Sequence, residues 1–191
     1  MRTLIAGVFA GVVIFLWGFI AHVVLPIGEM GMKLAPDGVQ DQLAATMKSG
    51  FEGAGEGIYF VPGMDPMKMD DEAAKKAYGA RATSMPYAMI VYQPEGKDIV
   101  NNMGPNLGIQ FATDLGLGLL AAFVASLITG FGRRVQAVTA MGVFAFGAAS
   151  MPYWNWYRFP LAFTEGALIE SVVAALLAGV VSAWWLGRGE R

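Results

Sequence analysis

A chain of 191 residues that is 55% hydrophobic and 15% charged, with a mean hydropathy of +0.50, falls well short of the roughly 25% charge of a soluble domain. Its net charge of −2 gives no basic footprint for nucleic acid, and the absence of cysteine excludes thiol redox relays, thiolate zinc sites and cysteine-ligated clusters. The single histidine, His22, rules out an H-E-x-x-H helix and a haem held by two histidines of one chain.

The first apolar run, Thr3 to Leu25, follows Arg2 and closes at Pro26. At 1.5 Å per residue it covers about 34 Å, enough for a hydrocarbon core of roughly 30 Å. It is longer than the usual signal-peptide core of about 7–15 residues and has no clean A-x-A site, so residues 1–26 are read as an uncleaved membrane anchor. Gly7 and Gly11 carry the small-xxx-small spacing that lets helices approach closely in lipid. His22 lies near the outer end of this span.

Residues 27–108 are too long for a plain connection and hold eleven acidic and seven basic residues, a net charge of −4. Asp37 after Pro36 suggests an N-cap, Val39, Leu43 and Met47 repeat every four residues, and Gly50 suits the stop, so a short helix is expected there. A second helix is expected over Asp70 to Arg81, with acids in its first turn, a Glu72–Lys76 pair and Gly79 near its end. Ile58-Tyr59-Phe60-Val61 and Ala88-Met89-Ile90-Val91-Tyr92, each bounded by Gly or Pro, read as strands. Together they make a small α+β cap without disulfides, expected to lean on the membrane helices or on a partner.

Two motifs in the cap invite chemistry. Met64, Met67 and Met69 form M-x-x-M-x-M, and thioethers suit Cu(I), although methionine is more often a gap-filler; these are the weak copper candidates. Gly53-Ala54-Gly55-Glu56-Gly57 lacks both the G-x-G-x-x-G spacing and a preceding strand and is read as a joint.

Three further spans follow over 109–131, 135–157 and 164–186, joined by Gly132-Arg133-Arg134 and by Arg158 to Phe163. Joints so short predict sequential antiparallel neighbours, a three-helix unit over 109–187 ahead of a tail at 188–191. Arg2, Arg133, Arg134, Arg188 and Arg191 against Arg158 give the positive-inside pattern, placing both termini in the cytoplasm and residues 27–108 outside it. The expected fold is therefore an α-helical integral membrane protein of four transmembrane helices, with the extracytoplasmic cap inserted between the first and second. A bacterial inner membrane is its expected host.

Asp114 in the second span, Asn155 late in the third and Glu170 in the fourth approach one outer layer with His22, and Arg158 and Glu165 sit just above it. Charged groups at that depth point to a ligand or ion site, for a divalent metal, protons, or a quinone or lipid headgroup. The competing structural reading is that Arg158 neutralises Asp114 or Glu170, Glu165 favours the positive end of its helix, and His22 hydrogen-bonds near the interface. The aromatic stretch from Tyr153 to Phe159 and the pair Trp184-Trp185 read as interfacial belts, with a quinone or lipid-tail slot as the alternative. Ser171, Ala175, Gly179 and Ala183 form a second packing stripe.

No motif names a cofactor or a reaction. The leading expectation is a non-catalytic accessory, assembly or structural subunit of a membrane complex, with the lipid bilayer and other membrane subunits or a second copy as partners. The alternative is an enzyme or transport protein built on the outer carboxylate and histidine layer.

Overall fold

The computed structural model describes residues 1–189 and divides the chain into two compact units, Leu34–Asp98 and the helical remainder. The division falls inside the expected 27–108, so residues 27–33 and 99–108 belong with the helices. The protein is 67% helical, with four helices long and apolar enough to cross a membrane and a small two-stranded sheet.

In the helical unit, α1 (Arg2–Phe19) continues through a π-helical turn, Ile20–Val24. The other long helices are α4 (Gly104–Ser126), α5 (Phe131–Ala149) and α7 (Leu161–Gly187), with a short α6 (Met151–Tyr157) between the last two. Pro105, early in α4, needs no intrahelical N–H bond there, so the helix starts five residues before the expected Ile109. The third span breaks at Ser150, because Pro152 cannot supply the amide that would continue α5. Arg133 and Arg134 belong to the first turn of α5 instead of a polar joint, and the buried Arg134 donates from Nε to the carbonyls of Ala125 at 3.1 Å and Ile128 at 2.8 Å. It adds a donor to carbonyls at the end of α4, where a cation also meets the favourable end of the helix dipole.

The expectation that the last three spans pack in sequence order holds for the third and fourth and needs correction for the second. Helix α4 packs chiefly on α1, and α5 chiefly on α7, with α1 and α7 joining the two pairs. Small residues decide this. Gly7 and Gly11 meet α4 so closely that a Cβ on Gly118 would stand 2.2 Å from the Gly11 nitrogen and one on Gly7 2.8 Å from the Leu119 Cα. On the other side, a Cβ on Gly142 would lie 2.5 Å from that of Ala175, and the Ser171 hydroxyl donates to the Gly142 carbonyl at 2.8 Å. Gly179 faces Val135 and Val138, and Ala183 is buried. At α1–α4 this close backbone approach outweighs loop proximity. Between α4 and α5 a 460 Å³ apolar crevice remains, lined by Leu120, Ala121, Met141 and Phe144.

In the second unit, α2 (Val39–Gly50) is entered through Gly38 at φ 79°, not through an Asp37 cap, because the left-handed turn there is one that glycine takes without strain. Helix α3 (Glu72–Ser84) starts two residues after the expected Asp70 and is capped by Asp71, whose carboxylate accepts from the amides of Ala73 and Ala74. Gly79 lies in its interior, the helix ends just before Met85-Pro86, and Glu72 pairs with Lys75 at 2.7 Å in place of Lys76. Strands β1 (Gly57–Val61) and β2 (Ala88–Tyr92) pair antiparallel, with Ile58 opposite Val91 and Phe60 opposite Met89. Phe51 stacks on Tyr59 at 4.2 Å and meets Tyr92 edge-on at 4.9 Å, tying the end of α2 to the sheet. Pro62 is the sole buried residue in this unit, so its interior supplies little hydrophobic stabilisation.

Candidate functional site

Three of the sequence candidates converge on one cavity of about 250 Å³ between α1, α4 and α7, lined by His22, Asp114 and Glu170 with Gln110, Phe15 and Phe19. His22 reaches it from the π-helical turn, a local widening that often re-aims a functional side chain. The chain then folds back, with the Gly28 amide donating to the Ala21 carbonyl at 3.1 Å. The imidazole lies directly against Gly28, where a Cβ would come 2.1 Å from the ring. Only glycine leaves room for it.

The ring is held at both nitrogens. Nε2 lies 3.0 Å from Glu170 Oε1 and Nδ1 lies 3.4 Å from Glu29 Oε1. A neutral imidazole donates to one of these carboxylates, and an imidazolium donates to both. Glu29 is the more open, with 54% of its side chain exposed against 34% for Glu170. Trp17 Nε1 donates to the Glu170 backbone carbonyl at 3.1 Å, fixing this turn of α7 against α1.

Asp114 is 4% exposed. The amide of Gln110, one turn earlier on α4, donates to its Oδ1 at 3.0 Å and orients the carboxylate. Phe15 and Phe111 meet edge to face at 5.2 Å beside it, so the polar groups sit against aromatic walls. The partners of the two carboxylates are thus Gln110 and His22, in place of the expected Arg158.

Asn155, Arg158 and Glu165 do not line the cavity. Asn155 is exposed on α6, and Arg158 adopts the left-handed conformation that ends this helix. Glu165 is exposed on α7 five residues before Glu170, which places it about 140° around the helix from that residue. In the cap, Met67 sits in the turn Pro66–Lys68 and is 91% exposed, and Met69 is 58% exposed. Among the described residues no three His, Asp or Glu side chains are placed to hold a metal ion.

The sequence reading missed Gln110, Gly28, Glu29 and Trp17. Gln110 was open to detection, since it lies four residues before Asp114 on one helix face. Glu29 and Gly28 reach the site only because the chain reverses after the π turn, and nothing local announces that reversal.

No protein-family model, curated protein or solved structure matches this chain.

Proposed function

We propose that this is a multi-pass protein of a bacterial inner membrane, with both termini cytoplasmic and residues 27–108 in the periplasm, acting as a non-catalytic accessory or assembly subunit. The observation that carries this reading is the open apolar face of the cap sheet. Ile58 and Val91, directly opposite each other, are 59% and 66% exposed, and Phe60 beside them is 40% exposed. A two-stranded sheet is marginal by itself, and neither α2 nor α3 contributes a buried residue. Covering this face with another membrane subunit supplies the burial that the cap lacks. The packing stripes support the same division of labour, because Gly7, Gly11 and Gly179 are spent on contacts inside the helical unit.

The test is gentle solubilisation from native membranes and native mass spectrometry of the intact particle. A stoichiometric partner is expected, and Ile58→Asp with Val91→Asp should release it while the helical unit stays folded. A particle containing this chain alone, or a partner retained by the double variant, overturns the reading.

A second reading, a ligand site at the outer membrane face, is favoured by one specific feature. His22 is pinned between two carboxylates and a glycine at the mouth of a cavity holding a third, buried carboxylate. A satisfied interfacial histidine needs no such cavity.

A further inference from the structure

We infer that the cavity between α1, α4 and α7 binds a primary ammonium group carried on an apolar body, with Asp114 and Glu170 as its acceptors; this rests on the reading of the cavity as a ligand site. The first support is charge. Asp114 and Glu170 line the cavity, His22 is its single basic residue and Glu29 lies on the far side of that ring. With the carboxylates ionised, even an imidazolium leaves the group negative, and uncompensated charge at this depth is costly. A cation offsets it.

The second support is hydrogen-bonding capacity. Asp114 Oδ1 is occupied by Gln110, whereas this 4% exposed side chain still has a second oxygen and lines the cavity. Glu170 Oε1 is taken by His22, and Oε2 is left as an acceptor on the same wall. These acceptors call for a donor with several N–H groups, and a primary ammonium brings three.

The third is the remaining surface. Phe15, Gly18, Phe19, Val23 and Leu107 complete the lining. Apolar walls suit the carbon skeleton of an amine and the face of a ring suits its charge, whereas a hydrated metal ion would find too few ligands. A proton alone offsets charge without using those walls. Two sources carry this chemistry, the ethanolamine headgroup of a phospholipid and a free alkylamine.

The experiment uses the full chain, purified in mild detergent, freed of lipid, and offered equimolar phosphatidylethanolamine, phosphatidylcholine and phosphatidylglycerol of identical acyl chains. Native mass spectrometry reads the adducts. One phosphatidylethanolamine per chain is expected, favoured at least tenfold over the trimethylated and glycerol headgroups, with that preference lost in Asp114→Asn and Glu170→Gln. Octylamine, added without lipid and then in competition, separates the sources. Stoichiometric amine binding that displaces the lipid assigns a free amine as sufficient, and lipid binding indifferent to the amine assigns the headgroup.

Equal retention of the three lipids together with no octylamine binding by the wild-type chain overturns the proposal, and this comparison needs no substitution that risks misfolding. The particle from native membranes distinguishes the two levels of failure. A different small ligand, lost in the same variants, overturns the ammonium assignment and leaves the site standing. No ligand of any kind overturns both.

Discussion

His22 shows how much one residue's role depends on its neighbours. As a lone histidine at the end of a long apolar helix it has many bland uses, yet here both ring nitrogens face carboxylates and its flat side lies on Gly28. Gly28→Ala would place a methyl group inside the ring's own volume, so the imidazole must move. Because the chain has one histidine, the imidazole nitrogen resonances of labelled protein report on it without assignment. A clear shift of these resonances is expected in Gly28→Ala, and the same shift in Glu170→Gln would trace it to the lost contact at 3.0 Å. Unchanged resonances in Gly28→Ala would show that the ring does not rest on this glycine. Asp114 is readable as a residue of interest because its charge sits in an apolar run, but the sequence leaves open whether Arg158 would face it or Glu170. The sequence shows Arg158 nearby in topology, while the folded chain supplies Gln110 from the same helix.

At the level of elements, length and apolar content identify the four spans, and their ends move where proline or arginine intervenes. Pro105 extends α4 outward, Pro152 breaks the third span, and Arg134 joins the start of α5 while bonding to the end of α4. Helix pairing follows small residues at α1–α4, where the partner is not the next span in sequence, and agrees with sequence order at α5–α7. Gly118 on α4 meets both Gly7 and Gly11, so Gly118→Leu must push α1 and α4 apart. The expected loss is about 1–3 kcal/mol or more, the usual range for overpacking a close contact. Thermal unfolding of the detergent-solubilised protein reads it as a lowered midpoint. Gly116→Leu, two residues away where nothing lies within 4 Å of a built Cβ, should be close to neutral. Equal effects of the two would remove the argument that backbone approach sets this pairing. In the cap the elements were legible in kind and off in detail, since Gly38 takes the entry role assigned to Asp37 and α3 begins at Glu72 instead of Asp70. One or two residues of shift separate those choices, and local composition barely distinguishes them.

For the molecule as a whole, the proposed topology rests on arginine placement and on the four helices of membrane-spanning length. The absence of cysteine makes it directly testable. In intact spheroplasts a membrane-impermeant maleimide should label Lys97→Cys in the cap, and Gly132→Cys in the first turn of α5 only after permeabilisation. The reverse pattern would invert the orientation and place the carboxylate cavity at the cytoplasmic face. Labelling of both positions without permeabilisation would contradict the span count between them.

Composition and periodicity were enough to establish a chain of four long apolar helices with a small mixed unit, because runs of the length and hydropathy that a bilayer crossing requires are visible without any structure. They also marked His22, Asp114 and Glu170, since a charge within an apolar run is conspicuous without any structure. Folding alone decided which of the six polar candidates meet. Asn155, Arg158 and Glu165 lie outside that cavity, because position along the chain says nothing of direction around a helix until the packing is known. Gly28 and Glu29 join the site for the complementary reason. A chain reversal carries them back to the π turn, and such contacts between segments arise from tertiary geometry that no local pattern encodes.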